Sequence, residues 1–450
     1  MPKLYSVSVK REEIRLRTVA IGICGLGTVG SGTVNVLQRN CAEINSRAGC
    51  SIEIRQIGAR RDNSDCELGS IAVTRDIFDV VENPEIDIVV ELIGGTTTAL
   101  DLVKKAISNG KHVITANKAL IAEYGNEIFA EAEKSGVSVC YEAAVAGGIP
   151  IIKSIREGLS ANRINWLAGI INGTGNFILT EMRDKGRDFA DVLAEAQALG
   201  YAEADPTFDV EGIDAAHKLV ILASVAFAIP LQFDKVYTEG ITEISQQDVE
   251  YAEELGYRIK HLGIARRCEK GIELRVHPTL IPEKRLIANV NGVKNAVLVD
   301  ADAVGPTLYY GAGAGAEPTA SAVIADIVDV ARNISVGQIH TVPALGFSSD
   351  FLSEVPIVAI EDIKTSYYLR MSAEDKPGVL SAVASIFSKA GISVEALIQK
   401  APEAGEVTVP LIILTNMATE HKLMAAVSEI EQLPTINDSI TKIRVETLDG

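Results

Sequence analysis

The chain has 450 residues, of which 47% are hydrophobic and 23% charged, so it has the composition of a globular protein with two or three domains. Lysine and arginine number 42 against 60 acidic residues, and the resulting net charge of −18 argues against nucleic acid as a partner. The six cysteines form no CxxC pair, and no apolar run reaches the roughly 20 residues that span a bilayer. We therefore expect reduced thiols, no zinc site, no membrane segment and a cytoplasmic location.

The first part of the chain alternates short β-branched segments with helical ones. Strands are predicted over 18–24, 51–59, 86–92, 111–115 and 137–141. This alternation predicts βαβ units, a mainly parallel sheet and an α/β domain over 18–141. Residues 1–17 are interpreted as a loosely held N-terminal extension.

A glycine motif of the form GxGxxG follows the first predicted strand and begins a predicted helix. Its glycines permit a tight turn, close approach of a pyrophosphate and close packing of helix on strand, as in a Rossmann domain. A tight turn without a ligand is the alternative. The cofactor-binding residues predicted here are Gly25, Gly27, Thr28, Val29 and Gly30.

The ends of the other predicted strands should face the same crevice. Arg60 follows the second strand and favours the 2′-phosphate of NADP(H), whereas the nearby Asp62 leaves NAD(H) possible. Gly94 and Thr96 follow the strand over 86–92, where capping of the next helix is an equally good interpretation. Lys118 follows the strand over 111–115, with a solvated loop lysine as the alternative.

The region 142–349 is predicted to be a second, α+β domain. Helices are predicted over 189–199 and 213–227, and strands over 273–277 and 295–300. A stretch over 200–218 concentrates acidic side chains just before the second of these helices. Carboxylates in such a cluster suit a substrate that carries an ammonium group. The acidic residues are Glu203, Asp205, Asp209, Glu211 and Asp214.

Asp214 and Lys218 are spaced i,i+4 and share one face of the predicted helix. On a surface this would be a minor ion pair of about 0.2–0.5 kcal/mol. The apolar run that follows predicts a buried helix, in which a lysine is paired or has a lowered pKa. Lys218 is therefore a candidate acid/base group, while His217 faces elsewhere and is interpreted as structural.

Three further loops are candidates for contact with ligands. The turn over 171–176 includes Gly173 and Thr174, and the glycine-rich segment over 311–319 includes Gly315. The loop over 142–150 combines Glu142 with a run of carbonyl groups, which suits a weakly bound monovalent cation. Either of the first two loops could also be only a tight turn, and carbonyl-rich loops like the third are common.

The last region, 366–450, is predicted to be a ferredoxin-like module. Strands are predicted over 366–372, 406–415 and 442–447, and helices over 378–390 and 421–431. Before this module come Pro343, Pro356 and a stretch without helical periodicity. The sequence contains no repeats or low-complexity tracts.

From residue 17 to residue 447 the sequence resembles the bacterial homoserine dehydrogenases that carry a C-terminal ACT domain. No kinase domain of the bifunctional relatives precedes the Rossmann unit. Two departures occur, the leader over 1–17 and Gly175 where many members have threonine. The motifs that carry the resemblance are GLGTVG, TANK, YEAAVAGGIP, NGTGNFIL, GYAEADPTFDVEGIDAAHK and GAGAGAEPTASAV.

The resemblance implies roles for individual residues. Lys218 would be the proton donor and acceptor, and Lys118 would assist at substrate and cofactor. Gly173 and Gly315 would contact the cofactor, and Glu142 would bind sodium. The other sodium ligands implied are the carbonyls of Val145, Gly147 and Ile149, and the substrate-binding residues implied are Glu203, Asp209, Asp214, Gly173 and Thr174.

In the last module the sequence DKPGVL resembles the ACT signature. Asp375, Gly378 and Leu380 would then bind an amino-acid effector, foremost L-threonine, at a helix N-terminus that favours a carboxylate. The alternative is that the module only assembles subunits. Taken together, the resemblance implies reversible, NADP-preferring reduction of L-aspartate 4-semialdehyde to L-homoserine in threonine, methionine and isoleucine synthesis, by a homo-oligomer that is a dimer or a tetramer. Another ACT-bearing NAD(P) dehydrogenase and a non-catalytic amino-acid sensor are the alternatives.

Overall fold

A computed structural model describes residues 17–337, 342–400 and 408–449 of the chain. The predicted extension therefore lies outside the described residues except for Arg17, as do positions 406 and 407 of one predicted strand. Among the described residues, no helix is long and apolar enough to cross a membrane. Each of the six cysteines has a free thiol, and three of them, Cys24, Cys50 and Cys66, are buried.

The first region is a six-stranded parallel sheet in the order β3-β2-β1-β4-β5-β6. Both faces of the sheet are covered: Val89 packs with helices α4 and α5, whereas its neighbour Val90 packs with helix α1 on the other side. The strands are β1 (Thr18–Cys24), β2 (Ser51–Gly58), β3 (Ala72–Thr74), β4 (Ile88–Glu91), β5 (His112–Thr115) and β6 (Val139–Cys140). The helices are α1 (Thr28–Arg39), α2 (Cys41–Ala48), α3 (Phe78–Glu82), α4 (Thr97–Ser108) and α5 (Lys118–Ser135).

The second region contains long antiparallel strands with helices packed against them. A π-helical turn, Ser154–Gly158, continues its first short helix. The helices are α6 (Ile151–Lys153), α7 (Gly173–Lys185), α8 (Phe189–Ala198), α9 (Thr207–Val210), α10 (Ile213–Phe227), α11 (Gln246–Glu254) and α12 (Ala316–Val336). The strands are β7 (Ile164–Ile170), β8 (Tyr237–Thr238), β9 (Tyr257–Cys268), β10 (Gly271–Pro282), β11 (Lys294–Ala301) and β12 (Gly305–Ala312).

The third region carries two helices on one face of its strands. Its strands are β13 (Lys364–Glu374), β14 (Val394–Gln399), β15 (Thr408–Thr415), β16 (Ala418–Thr419) and β17 (Ile436–Val445). Its helices are α13 (Val379–Ala390) and α14 (Glu420–Glu431). The fold class predicted from the sequence, a Rossmann domain, an α+β domain and a ferredoxin-like ACT domain, is confirmed.

One sheet runs through the second and third regions. Strand β17 pairs in parallel with β10 at Thr279 and Leu280 and antiparallel with β13, so the main path is β12-β11-β7-β9-β10-β17-β13-β15-β14. The sequence pattern did not predict this junction, because it joins strands that are far apart along the chain. We call the junction between β10 and β17 the seam.

Helix α12 also crosses between regions. It belongs to the second region in sequence, yet its apolar face joins the core beneath α1 in the first. A Cβ atom on Gly32 of α1 would lie 2.6 Å from the carbonyl oxygen of Ala316, so the glycine allows α12 to begin in contact with α1. The proposed boundaries at 18–141, 142–349 and 366–450 stay a prediction.

Several elements differ from the sequence-based expectation. Strand β3 has three residues and strand β14 alternates half-buried with exposed positions, so neither gives a clear pattern. Strands β9 and β10 each have 12 residues, and their centres are buried on both faces, which removes the alternation that marks a strand. Helix α10 begins and ends where its apolar run does, as predicted.

Candidate active site

A cleft of about 1030 Å³ opens at the carboxyl ends of β1 and β4, where the strand order of the parallel sheet reverses. We call it the crevice. Gly25 and Gly27 line it, and a Cβ atom on Gly27 would meet no atom within 4 Å and would project into open space. A Cβ atom on Gly30 would lie 2.2 Å from the carbonyl oxygen of Gly25, so this turn requires glycine. Thr28 and Val29 form the first turn of α1, whose amides point to the crevice, and this arrangement fits a dinucleotide phosphate.

Positive charge collects at one end of the crevice. Arg60, Arg61 and Arg75 line it together with Asp62. Arg75, which the sequence analysis missed, binds Asp62 at 2.8 Å and the carbonyl oxygen of Ala59 at 3.1 Å. Since Asp62 is paired with Arg75, Arg60 and Arg61 give this end a net positive charge that suits a phosphate group.

The opposite wall of the crevice is a glycine turn after β4. Gly94 and Gly95 both have positive φ, +70° and +71°, which glycine adopts without strain. Gly94 and Thr98 line the crevice. Thr96 lies at the N-terminal cap position of α4, but its side chain makes no capping hydrogen bond.

The glycine-rich loop over 311–315 lies beside the GxGxxG motif. Gly315 precedes α12 with φ +121°, and Glu317 in the first turn of α12 binds Arg39 of α1 at 2.6 Å. The structure thus brings the loop over 311–315 next to the helix that the GxGxxG motif begins. The sequence singled out both loops but could not show that they are neighbours.

Two lysines share one buried carboxylate. The Asp214 carboxylate binds Lys218 Nζ at 2.6 Å through Oδ2 and Lys118 Nζ at 3.1 Å through Oδ1. Lys218 Nζ also donates to the carbonyl oxygen of Ile171 at 2.7 Å. Asp214 is 5% exposed, Lys218 12% and Lys118 35%, so solvent and a ligand reach the cluster from the side of Lys118. We call Lys118, Lys218 and Asp214 the catalytic cluster.

Asn172 holds the acidic groups of the site in place. Its Nδ2 group donates to Asp209 Oδ1 at 2.7 Å and to Asp214 Oδ2 at 2.8 Å, while its Oδ1 accepts from the amide of Gly175 and caps α7. Burial acts to raise the pKa of Asp214, but the charges of Lys218 and Lys118 hold that pKa well below its usual value. Burial raises the pKa of Asp209. The sequence analysis quoted Asn172 only as part of a turn.

The remaining predicted substrate residues lie at different depths. Gly173 and Thr174 form the first turn of α7, and Thr174 Oγ1 donates to the carbonyl oxygen of Tyr201 at 2.6 Å. Glu203 is exposed in the loop that follows α8, where its backbone carbonyl accepts from Gln197. The structure therefore brings Asp209 and Asp214 together with the lysines, but not the side chain of Glu203.

His217 lies behind the catalytic cluster and is buried. Its ring stacks on Phe233 at 4.1 Å and tilts against Phe208 at 5.4 Å, and Nε2 lies 3.3 Å from Glu123 of α5. Burial lowers its pKa, so the neutral ring serves as an aromatic spacer between the two regions. The interpretation of this residue as structural agrees with these contacts.

The loop after β6 presents several oxygen atoms that could bind a cation, and some of them already accept hydrogen bonds. Both Glu142 carboxylate oxygens accept backbone amides, from Ile152 at 2.9 Å and Lys153 at 2.8 Å. Burial, and next the Asp326 carboxylate, raise the pKa of Glu142 to about 7. Ala146 and Gly147 both have positive φ, +55° and +49°. The backbone is therefore strained at Ala146, and two buried carboxylates, Glu142 and Asp326, lie close together at this loop.

Hydrogen bonds use only some of the predicted carbonyl ligands. The carbonyl oxygen of Ile149 accepts from the amide of Ile151 at 2.7 Å. Across the described ranges, no residue donates a hydrogen bond to the carbonyl oxygen of Val145 or Gly147. These oxygens and a carboxylate match the ligands that hard monovalent cations prefer.

A separate pocket of about 270 Å³ lies in the third region. Asp375, Gly378 and Leu380, the predicted effector residues, line it at the N-terminus of α13. Gln399 of β14, which the sequence analysis missed, closes one side and donates to Asp375 Oδ1 at 3.3 Å. The pocket offers a carboxylate beside free helix amides, a combination that suits a zwitterion.

The chain matches family models over most of its length. Residues 25–142 match the model described as homoserine dehydrogenase, NAD binding domain, and residues 150–328 match the model described as homoserine dehydrogenase. Residues 367–435 match the ACT domain model.

The chain is also similar to named proteins and solved structures. It is 64% identical to a curated homoserine dehydrogenase of Pseudomonas aeruginosa, over 96% of this chain and 100% of that protein. A crystal structure of a homoserine dehydrogenase from Thiobacillus denitrificans shares 59% identity over 96% of this chain and 99% of that chain, with a TM-score of 0.91. A hyperthermophilic archaeal homoserine dehydrogenase, solved in complex with NADPH, shares 26% identity over 70% of this chain and 97% of that chain, with a TM-score of 0.59.

Proposed function

The chain belongs to the homoserine dehydrogenase family, and from that membership we propose that it reversibly reduces L-aspartate 4-semialdehyde to L-homoserine with NADP(H) as its preferred coenzyme. It is an NAD(P)-dependent oxidoreductase with a C-terminal ACT domain. We place it in the synthesis of threonine, methionine and isoleucine, and in the cytoplasm.

The observation that carries the chemistry is the shared carboxylate of the catalytic cluster. Bound NADPH supplies the hydride for the aldehyde carbon. Lys218 holds a proton on Nζ and gives it to the oxygen of the substrate as that oxygen gains negative charge. Asp214 fixes the position of this ammonium group, and Lys118 adds a second positive charge from the side of the crevice. Asp209, held by Asn172, is placed to bind the ammonium group of the substrate.

An oxidation assay tests this proposal directly. Purified protein is mixed with L-aspartate 4-semialdehyde and either NADPH or NADH, and the loss of absorbance of the coenzyme is followed. We expect turnover with both and a higher kcat/KM with NADPH. No turnover with either coenzyme would favour a non-catalytic sensor. If the aldehyde were not turned over but prephenate or a hydroxy acid reduced NAD+ or NADP+, another ACT-bearing dehydrogenase would be favoured.

The preference for NADP(H) rests on the positive end of the crevice. Arg60 and Arg61 face the open cleft. Of the two aspartates that line it near them, Asp62 is paired with Arg75 and Asp76 accepts the amide of Phe78 at 2.9 Å. In this protein a ribose 2′-hydroxyl would therefore compete with Arg75 for the carboxylate. A 2′-phosphate would instead find two guanidinium groups that lack a carboxylate partner in the cleft.

We also propose that sodium binds to the loop after β6, through Glu142 and the carbonyl groups of Val145, Gly147 and Ile149. The buried carboxylates of Glu142 and Asp326 raise each other's cost of ionisation, so a further cation would favour their charged forms, and the ligand set consists of oxygen atoms. Thermal unfolding in sodium chloride should occur at a higher temperature than in choline chloride of equal ionic strength. This difference should vanish in Glu142→Gln, and an equal Tm in both salts for the parent protein would contradict the site.

We propose that the pocket at the start of α13 binds an amino-acid effector, foremost L-threonine. Asp375 would bind the ammonium group and the amides of the first turn of α13 the carboxylate. Inhibition by threonine should be lost or shifted to higher concentration in Asp375→Ala, with kcat unchanged. Glu429→Ala, on the exposed face of α14, is the matched control. Point variants are preferable to truncation, since removing β17 would expose the seam.

Homo-oligomer formation is proposed from the two ends of the long sheet. Strands β12 and β14 lie at its edges, so each leaves one row of backbone groups free to pair with a second copy. Light scattering of the purified protein should give the mass of a dimer or a tetramer, and a monomer at all concentrations would contradict this assembly.

A further inference from the structure

Glu91 is a fully buried carboxylate that the reaction described above does not use. It is the last residue of β4 and lies at the base of the crevice. One oxygen, Oε1, accepts the amides of Ile93 at 2.9 Å and Gly94 at 3.2 Å. The other oxygen, Oε2, accepts the hydroxyl of Thr115 at 2.5 Å. Burial raises the pKa of Glu91, while these hydrogen bonds favour its charged form.

The partners of Glu91 belong to the loops after β4 and β5, and the first of these lines the crevice. Ile93 and Gly94 begin the glycine turn after β4. Thr115 ends β5, and its Oγ1 also accepts the amide of Asn117 at 3.0 Å. Asn117 Nδ2 in turn donates to the carbonyl oxygen of Gly95 at 2.6 Å. These five residues and the carboxylate close a ring of hydrogen bonds between the loops.

This ring ends at the catalytic cluster. The side chain of Asn117 caps α5 by accepting the amide of Leu120 at 3.2 Å, and Lys118 is the first residue of that helix. The position of Lys118 against Asp214 therefore depends on where the loop after β5 is held. A buried carboxylate with acceptors only is suited to hold it, because each of its three partners is a donor.

The opposite end of the same strand shows what a purely structural carboxylate does. Asp87 lies just before β4 and accepts the amide of Ala20 at 2.8 Å. This bond joins β4 to β1 at the amino edge of the sheet, away from the crevice. Asp87 is therefore a control for Glu91, because both carboxylates bind backbone amides but only Glu91 lies at the crevice end of the strand.

We propose that Glu91 is a positioning residue for hydride transfer: its carboxylate fixes the loops after β4 and β5 and thereby places Lys118 against Asp214. This inference rests on the proposed role of Lys118. The glutamine variant would keep the shape but replace the charge and one acceptor by an NH₂ group, so the Thr115 hydroxyl would either reverse its hydrogen bond or lose it, and the charge that holds the ring would be gone.

The test measures kcat and KM for NADPH and for L-aspartate 4-semialdehyde. Glu91→Gln should lower kcat by about 10- to 100-fold, because displacement of a catalytic group by about 1 Å has effects of this size. In Asp87→Asn, kcat should stay at the parent value. The double variant Glu91→Gln/Lys118→Ala should be no slower than Lys118→Ala alone, since both changes act on one group.

A second pair of variants covers a failure of Glu91→Gln to fold. Thr115→Val removes the hydroxyl that binds Glu91 and should lower kcat in the same direction, while Thr115→Ser keeps a hydroxyl and should restore most of it. Parent-like kcat in Thr115→Val or Glu91→Gln, or multiplicative effects in the double variant, would overturn the inference. Parent-like kcat in Lys118→Ala would instead show that the proposed role of Lys118 is wrong.

Discussion

Two clusters of buried charge in this protein contain different cationic side chains, lysine in one and arginine in the other. The catalytic cluster joins one aspartate to two lysines, one of which is 35% exposed. At the seam, the cations are Arg275 and Arg444, and both are almost completely buried. Arginine stays charged at any physiological pH, whereas lysine can exchange a proton, so the clusters differ in what they can do.

Each of these two arginines at the seam forms ion pairs with two carboxylates. Arg275 binds Glu446 at 2.6 Å and Glu273 at 3.1 Å. Arg444 binds both oxygens of Glu420, at 2.5 and 3.0 Å, and reaches Glu239 at 2.7 Å. These planar forks connect the ACT strands to the second region. The comparison teaches that buried charge can have different roles: at the catalytic cluster we propose that it serves proton transfer, whereas at the seam it joins the ACT strands to the second region.

The largest expected effect comes from breaking the seam. Arg275→Met leaves Glu446 and Glu273 buried without their main partner and should lower the free energy of unfolding by about 3–5 kcal/mol. Urea unfolding measures this effect. If the seam were unimportant, the transition of the variant would coincide with that of the parent.

The seam also has a predictable dependence on pH. Burial acts to raise the pKa of Glu446, but Arg275 and Arg266 hold it below its ordinary value. The stabilisation is therefore complete above about pH 4.3, the ordinary pKa of a glutamate, and is lost as the pH falls further. The difference between the parent and Arg275→Met should accordingly shrink in acid.

Breaking the catalytic cluster should appear chiefly as a loss of rate, because Lys118 still pairs with Asp214 when Lys218 is removed. Lys218→Ala should lower kcat by about two orders of magnitude or more with near-normal NADPH binding, because a proton-transfer group is lost and no cofactor contact is removed. Lys218→Arg sharpens the comparison: it keeps the charge, but arginine does not release a proton, so kcat should stay low. Exposed Lys235→Ala is the control. Unchanged turnover in Lys218→Ala would remove this residue from the mechanism.

Arg60 adds a third case to the comparison, because its anionic partner would be the 2′-phosphate of the bound coenzyme. Arg60→Asp should raise KM for NADPH by about tenfold or more, since a charged hydrogen bond contributes roughly 1.5–3 kcal/mol, and should affect NADH little. Arg55→Asp, on β2 and outside the crevice, should change neither. An equal loss with both coenzymes would mean that Arg60 has a structural role.

The smallest effect is expected from an exposed pair with the same spacing as Asp214 and Lys218. Glu43 and Arg47 bind at 2.7 Å across one turn of α2, and both side chains are largely exposed. Glu43→Gln should change the free energy of unfolding by less than about 0.5 kcal/mol in urea unfolding. A larger loss would show that i,i+4 spacing alone stabilises this protein and that burial is not what distinguishes the catalytic cluster.

The candidate site was predictable where its signals are local. Lys218 and Asp214 lie one turn apart on a helix whose apolar run predicts burial, and the structure shows them bonded at 2.6 Å. Lys118 could be placed at the crevice, but not against Asp214, because that contact joins α5 of the first region to α10 of the second. Arg75 and Asn172 were missed for the same reason: their partners are distant in sequence.

The sequence by itself determined the fold class, the position of the glycine motif and the family resemblance, since periodicity, turn chemistry and motif spacing are properties of neighbouring residues. Only the tertiary structure decided the pairing of β10 with β17, the return of α12 to the first core and the partners of Glu91 and Arg275. A buried charge needs a partner, but the chain can supply that partner from any strand that folding brings within about 3 Å. The choice is therefore made by packing, which no local pattern records.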